Sequence, residues 1–222
     1  GYHLNERKIE AELGEDELDH NIQRLGYWPK YNQKSAISEK EWQELKVKAL
    51  PILRGPLFVG VKYGNDGANV AMSVAVKTLS GKIFVETLDC QSIRNGNQWL
   101  VNFFKEADIE SVVIDGQSGQ SILTNEMKDF RLKAPVLPTV KEIINANASW
   151  EQGIYQKNIC HAGQPSLEKV VTNCDKRNIG TSGGFGYKSQ FDDMDICLMD
   201  SALLAHWACH NSKPKKKQQI RY

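Results

Sequence analysis

The chain has 222 residues, of which 41% are hydrophobic, and a formal net charge of +1 at pH 7. This composition is that of a globular protein with a real core. The near-zero net charge excludes a global attraction to nucleic acid, so any DNA contact has to come from local patches. Five cysteines without a CxxC pair argue against a disulfide framework or a zinc finger, and no apolar run long enough for a membrane span occurs.

Residues 1–55 are predicted to form a helical lead-in segment. Apolar residues recur there at helical spacing from Ile9 to Leu25, and the stretch that contains Pro29 should end this helix. Ser38 followed by Glu41 is a capping box, which predicts a second helix running towards Leu50.

The pattern changes after residue 55, where short apolar runs begin. Runs at 57–61, 70–76 and 83–88, with a Ser-Gly turn between the last two, predict three antiparallel strands. The remaining elements predicted in chain order are a helix at 98–107, a buried strand at 111–115, a helix at 119–130, a proline-broken strand at 134–140, and helices at 141–152, 166–176 and 193–209. This order predicts an α/β domain over 56–212, with a ribonuclease H-like mixed sheet flanked by helices. Residues 213–222 form a basic tail that we expect to be flexible.

Asp115 is the first candidate for chemistry. It ends the apolar run Val112-Val-Ile and is followed by Gly116. In open α/β sheets, ligands bind outside the carboxyl ends of the strands, which favours a functional carboxylate. The alternative is that Asp115 caps the following helix.

A second acidic group lies near the start of the last predicted helix and consists of Asp192, Asp193, Asp195 and Asp200, of which the last three are candidate metal ligands. The spacing of Asp195 with Met199 predicts that its carboxylate faces the core, where an ionised group needs a cation or donors. The alternative is an acidic helix start that complements the helix dipole. Capping does not readily account for Asp200, which lies a turn further into an apolar helix.

The first strand supplies no acid at the position where a simple pattern would have one, because Lys62 occupies it. The nearest acid is Asp66, although Asn65-Asp66-Gly67 is also an ordinary turn sequence. Together the acids form an oxygen-rich set of the kind that binds Mg²⁺ or Mn²⁺. Two such ions about 3.5 to 4 Å apart would activate a water and stabilise the leaving oxygen of a phosphodiester.

Basic residues that are predicted to contact DNA lie in several parts of the chain. The glycine-containing stretch after residue 172 mixes hydrogen-bond donors with flexible backbone and would suit a phosphate backbone. Ordinary solvated lysines are the alternative for each. The candidates are Lys62, Lys141, Lys176, Arg177 and Lys188.

Several strings together resemble the C-terminal part of tailed-phage terminase large subunits, across nearly the whole chain. They are Gln23-Arg-Leu-Gly-Tyr-Trp, Val59-Gly-Val up to Asp66-Gly67, Val112-Val-Ile-Asp-Gly, Leu137-Pro-Thr-Val-Lys-Glu, Gly183-Gly-Phe-Gly-Tyr, and Asp195-Ile-Cys-Leu-Met-Asp-Ser-Ala-Leu-Leu-Ala. The resemblance implies a ribonuclease H-like, metal-dependent endonuclease domain that cuts concatemeric phage DNA in the cytoplasm of the bacterial host. It also implies that Asp115 is the ligand from the central strand, and that Asp193, Asp195 or Asp200 is the ligand from the last helix.

The same resemblance implies partners. The nuclease would work on double-stranded DNA beside a packaging ATPase domain, the portal and the small terminase subunit. No G-x-x-x-x-G-K-[ST] loop occurs, so the ATPase domain is expected to lie outside this sequence, with residues 1–55 as the interdomain segment. Lys62 departs from the aspartate that such nucleases carry. This leaves two other readings open: a catalytically weak or inactive docking module of the motor, or another ribonuclease H-like nuclease such as a resolvase.

Overall fold

The computed structural model describes residues 34–64, 67–181 and 183–212, and its centre is a five-stranded mixed sheet. The strands of this sheet are β1 Leu53–Tyr63, β2 Asn69–Thr78, β3 Ile83–Ser92, β4 Ile109–Asp115 and β5 Ile159–Cys160, in the spatial order β4-β1-β2-β3-β5. A separate antiparallel hairpin is formed by β6 Cys174–Ile179 and β7 Gly184–Ser189. The helices of the described ranges are α1 Glu39–Gln43, α2 Gln98–Glu106, α3 Gln120–Asp129, α4 Val140–Tyr155, α5 Pro165–Val171 and α6 Cys197–Asn211.

The connectivity confirms the predicted mixed sheet. Strands β1, β2 and β3 form an antiparallel meander, as the apolar runs and the turn between them indicated. Strand β4 then joins β1 in parallel, and β5 joins β3 in parallel. Parallel strands need crossover connections, and these are the helical segments that cover the sheet.

Helices cover both faces of the sheet because side chains alternate along each strand. On β1, Phe58 belongs to the core cluster that contains residues of α4, α5 and α6. Val59, Val61 and Tyr63 belong to a second cluster with residues of α2 and α3. Even-numbered positions of β1 therefore face α6, and odd-numbered positions face α2 and α3.

Gly60 lets α6 lie directly on β1. A Cβ atom at this position would be 2.1 Å from the carbonyl oxygen of Ser201 and 2.6 Å from the backbone nitrogen of Ala205. No side chain fits into that gap without moving the helix. This contact fixes which turn of α6 lies beside the end of β1, and therefore positions the candidate site.

The segment before the sheet is part of the same core. Ser38 caps α1 as predicted, with both hydrogen bonds of the capping box formed to Glu41. Trp42 is fully buried and stacks on His161, with ring centroids 4.1 Å apart. The predicted helical elements within 1–33 and the basic tail at 213–222 lie outside the described residues. Among the residues that are described, no helix is long and apolar enough to cross a membrane.

Four predicted elements differ from the structure. The helix predicted to run from Ser38 towards Leu50 ends at Gln43. The helix predicted at 166–176 ends at Val171, and the following residues form β6. The strand predicted at 134–140 is reduced to one bridge between Val113 and Val136, because Pro135 and Pro138 have no N–H to donate to a ladder. The last helix begins at Cys197 and not at 193, so two of the candidate aspartates precede it.

Candidate functional site

Two strands bring Lys62 and Asp115 together. β1 and β4 are parallel neighbours, and Lys62 is the register partner of Asp115 at their carboxyl ends. The Lys62 ammonium donates a hydrogen bond to Oδ2 of Asp115 within an ion pair. The side chains are 11% and 26% exposed, respectively. The predicted position of Asp115 at a functional sheet edge therefore has a cation beside it.

Helix α6 adds a second carboxylate. The Lys62 Nζ lies 3.9 Å from Oδ2 of Asp200, which is in the first turn of α6. This proximity follows from Gly60, because the close contact of Gly60 with Ser201 sets Asp200 over the next residue of β1 that faces the helix. Three elements that are distant in sequence thus meet around one ammonium group.

The carboxylates of this edge are not fully compensated. Burial raises the pKa of Asp200 to about 6, and the charge of Asp115 adds to this effect, while Lys62 and Arg177 oppose it. Burial on its own would lower the pKa of Lys62, but Asp200 and Asp115 outweigh it and hold that pKa above its ordinary value. Lys62 therefore stays charged, whereas Asp200 ionises only as the pH rises through about 6.

Asp195 lies just before α6, and one of its two carboxylate oxygens has no hydrogen-bond partner among the described residues. Its Oδ1 accepts a hydrogen bond from the backbone nitrogen of Cys197 at 2.9 Å. Its Oδ2 is buried and has no hydrogen-bond partner among the described residues. The negative charge of Asp195 also contributes to the raised pKa of Asp200. A buried carboxylate oxygen without a donor is costly, which marks this position as one that a cation would stabilise.

The turn after Asp115 is tightly built. Gly116 has φ +107°, and a Cβ there would lie 2.6 Å from the carbonyl oxygen of Tyr63 at the end of β1. The glycine therefore lets the chain turn against β1, which fixes Asp115 beside Lys62. Helix α3 has Gly119 as its N-cap, without a side-chain cap. Asp115 does not cap that helix, so the capping alternative does not account for it.

Of the other two acidic candidates, one is exposed and the other is not among the described residues. Asp193 is exposed in the turn that precedes α6. Asp66 lies outside the described residues, and its role stays a prediction. Its neighbour Gly67 is described and lies near Ser118, in the turn that follows Asp115.

The basic candidates divide into a buried lysine and exposed groups. Lys62 is only 8% exposed, and its ammonium contacts the carboxylates of the site and does not lie on the outer surface. Lys141, Lys176, Arg177 and Lys188 are exposed, and the last three lie on the β6–β7 hairpin. The Arg177 Nε donates to the carbonyl oxygen of Tyr187 at 3.1 Å, and its charge acts on both Lys62 and Asp200. Lys176 is paired with Glu151 at 2.5 Å.

The described residues form no closed metal cage at this edge of the sheet. Within residues 34–64, 67–181 and 183–212, no three His, Cys, Asp or Glu side chains lie close enough together to enclose a metal ion. Mg²⁺ does not need such a cage, since it commonly binds one or two carboxylates together with waters and a substrate phosphate. Asp200 has a raised pKa, and the charge of Asp195 acts on it while Asp195 Oδ2 has no partner among the described residues, so these are the two carboxylates that could hold such an ion. The space between Asp115 and Asp200 is taken by the ammonium of Lys62.

The fold is similar to that of solved phage terminase nucleases. Comparison with the HK97 bacteriophage large terminase gives a TM-score of 0.62 at 14% identity, over 91% of this chain and 49% of that chain. The large terminase nuclease of thermophilic phage G20c gives 0.56 at 13% identity, over 78% of this chain and 97% of that chain. The nuclease domain of the large terminase subunit of bacterial virus Sf6, solved with manganese, gives 0.54 at 12% identity, over 77% of this chain and 98% of that chain.

These similarities establish the ribonuclease H-like fold predicted from the sequence. The chain spans about half the length of the HK97 terminase. The G20c nuclease has also been solved with bound magnesium. A scan against protein-family models and a search of curated proteins gave no match.

Proposed function

We propose that this chain is the nuclease domain of a tailed-phage terminase large subunit, and that it hydrolyses phosphodiester bonds of concatemeric DNA with the help of Mg²⁺ or Mn²⁺. The observation that carries the proposal is the meeting of Asp115 and Asp200 at the carboxyl edge of the sheet, around Lys62. The fold of the terminase nucleases supports it.

The chain's own residues would have distinct tasks in this reaction. Asp200 and Asp195 would hold the cation, since both have carboxylate charge that their protein neighbours leave uncompensated. Bound there, a divalent ion would supply the activation of a water and the stabilisation of charge on a phosphate oxygen. Asp115, which the resemblance implies as a metal ligand, is paired with Lys62 and in this proposal would instead orient the attacking water and accept its proton. Asp66 and Asp193 stay as predicted further ligands.

The β6–β7 hairpin would hold the DNA. It presents Lys176, Arg177 and Lys188 on its exposed side, and the charge of Arg177 acts on Asp200. Lys141 at the start of α4 would add a further phosphate contact. Such contacts position a duplex without reading its sequence.

The whole protein would combine this domain with a packaging ATPase domain that lies outside the sequence. It would act on double-stranded DNA in the cytoplasm of the bacterial host, with the portal and the small terminase subunit as partners. The half-length match to the HK97 large terminase supports this arrangement.

Nicking of supercoiled plasmid in the presence of Mn²⁺ tests the proposal. Asp115→Asn should leave the fold intact, because the amide has the same shape as the carboxylate. It should abolish nicking, because the side chain loses the negative charge that pairs with Lys62. Asp129→Asn, at the exposed end of α3, is the matched control and should cut like the wild type. Full activity of Asp115→Asn would refute the assignment.

A second candidate is a docking module of the packaging motor without catalytic activity. The observation in its favour is that Asp115, the central acid, is already neutralised by Lys62. A wild-type chain that binds duplex DNA, but neither binds Mn²⁺ nor nicks plasmid, would establish it. Preferential cutting of branched over linear duplex in the same assay would instead indicate a resolvase.

A further inference from the structure

The ammonium of Lys62 occupies an unusual position for a lysine. The residue is 8% exposed, and its side chain ends between a carboxylate of the sheet and a carboxylate of α6. Burial of a charged lysine is costly unless opposite charges surround it. A surface DNA contact does not account for this position, because the ammonium would have to leave both partners to reach a phosphate.

Bridging two carboxylates is what a metal ion does in an acidic site. The ammonium donates a hydrogen bond to Asp115 and lies 3.9 Å from Asp200. A divalent ion placed between the same two groups would meet the lysine charge at contact distance, and Coulomb repulsion would oppose its binding. Two ions spaced about 4 Å apart, as in a two-metal centre, therefore have no room here.

We propose that Lys62 is a built-in cation of this site, takes the place of one divalent ion, and leaves a single exchangeable ion to bind at Asp200 and Asp195. This rests on the proposed metal-dependent function and specifies its stoichiometry.

The charge balance supports this arrangement. The charges of Asp115, Asp195, Lys62 and Arg177 all act on Asp200, and three ionised carboxylates against two protein cations leave one negative charge in excess. One divalent ion would bring the site to a single positive charge. An aspartate at position 62 would leave three negative charges in excess, and two divalent ions would bring that site to the same single positive charge. A lysine at position 62 is therefore electrostatically equivalent to an aspartate with a second divalent ion bound.

The experiment is a titration of the purified chain with Mn²⁺. Calorimetry and the electron paramagnetic resonance signal of the free ion measure how many ions bind and with what affinity. The wild type should bind one ion per chain, and Lys62→Asp should bind two. Lys128→Asp makes the same charge change on the exposed side of α3 and should still bind one. Lys62→Met keeps the length of the side chain without its charge, and should bind the first ion at least tenfold more tightly than the wild type because the repulsion is gone.

The outcomes separate this inference from the proposed function. Two ions bound to the wild type would overturn the role of Lys62 and leave a metal-dependent nuclease in place. No ion bound to the wild type or to either Lys62 variant would overturn the metal-dependent function itself. If Lys62→Asp fails to fold, as judged by circular dichroism, the affinity of Lys62→Met decides: an affinity equal to that of the wild type would refute the proposal.

Discussion

Replacement of Asp200 by asparagine should stabilise the protein at pH 8 in buffer that contains a metal chelator. Burial raises the pKa of Asp200 from 3.8 to about 6, so the folded state opposes its ionisation. A shift of roughly two pKa units corresponds to about 3 kcal/mol of lost stability once the group is ionised. Asparagine has the same shape and no charge, so Asp200→Asn should regain about 3 kcal/mol, which for a domain of this size is a rise in Tm of roughly 6–12 °C.

The gain should depend on pH in one direction. Because the folded-state pKa of Asp200 is raised, the folded protein binds more protons than the unfolded chain between 3.8 and about 6. Stability from this group is therefore complete below the unfolded pKa and is lost as the pH rises through about 6. Burial has the opposite consequence for His206, whose pKa it lowers from 6.5 to about 3. Stability from His206 is present above its unfolded pKa and is lost as the pH falls towards the folded value.

The two groups oppose each other in the wild-type curve, so the difference between wild type and variant is the informative quantity. Urea denaturation followed by tryptophan fluorescence at several pH values between about 4 and 8 measures this difference. Asp192→Asn changes an exposed aspartate of the turn before α6 and should leave stability unchanged. A variant that is no more stable than the wild type at pH 8, or a gain that is the same at every pH, would refute the reasoning. Added Mn²⁺ should reduce the gain, because the ion would compensate the wild-type carboxylate.

Three further predictions concern the packing of α6, the DNA surface and a buried histidine. Gly60→Ala should lower the free energy of unfolding, measured by urea denaturation, by about 3 kcal/mol or more, because the new methyl group would overlap Ser201. A decrease below about 1 kcal/mol would contradict this contact. Arg177→Ala should weaken duplex binding in fluorescence anisotropy and lower the salt slope by about one, whereas Lys105→Ala on α2 should leave both unchanged. His206→Phe should gain stability relative to the wild type as the pH falls below 6.5, since neither imidazole nitrogen has a hydrogen-bond partner among the described residues; a pH-independent difference would count against it.

The strands of the main sheet could be predicted because they are apolar and lie next to one another in the chain. The runs at 57–61, 70–76 and 83–88 all fall inside strands that extend further at their ends. The β6–β7 hairpin could not be predicted, because β6 is mostly polar and, among the described strands, forms its ladder with β7 alone. Its hydrogen bonds come from a partner strand and leave no periodic apolar signal in the sequence. The predicted helix at 166–176 is therefore too long at its C-terminal end.

The candidate site could be predicted only in part for a similar reason. The end of a buried strand identified Asp115, since that position follows from the chain alone. Which residue of β1 lies opposite Asp115 depends on the register of two strands that are distant in sequence. Which aspartate near α6 reaches the edge depends on where the helix begins. Because α6 begins at Cys197, Asp195 precedes the helix and Asp200 takes the position next to Lys62.

Side chains along β1 alternate between the two faces of the sheet, and this alternation makes residue 62 one of the positions that face α6. Of the positions that face α6, residue 58 is a buried phenylalanine of the core and residue 60 has to be glycine for the helix to fit. Position 62 is the next one in the same row, and it is the register partner of Asp115. Any group that β1 contributes between Asp115 and Asp200 therefore has to come from residue 62. A carboxylate there would attract exchangeable metal, whereas the positive charge of lysine is covalently attached to the strand. In the role proposed for Lys62, this one side chain would therefore determine how many divalent ions the edge accepts.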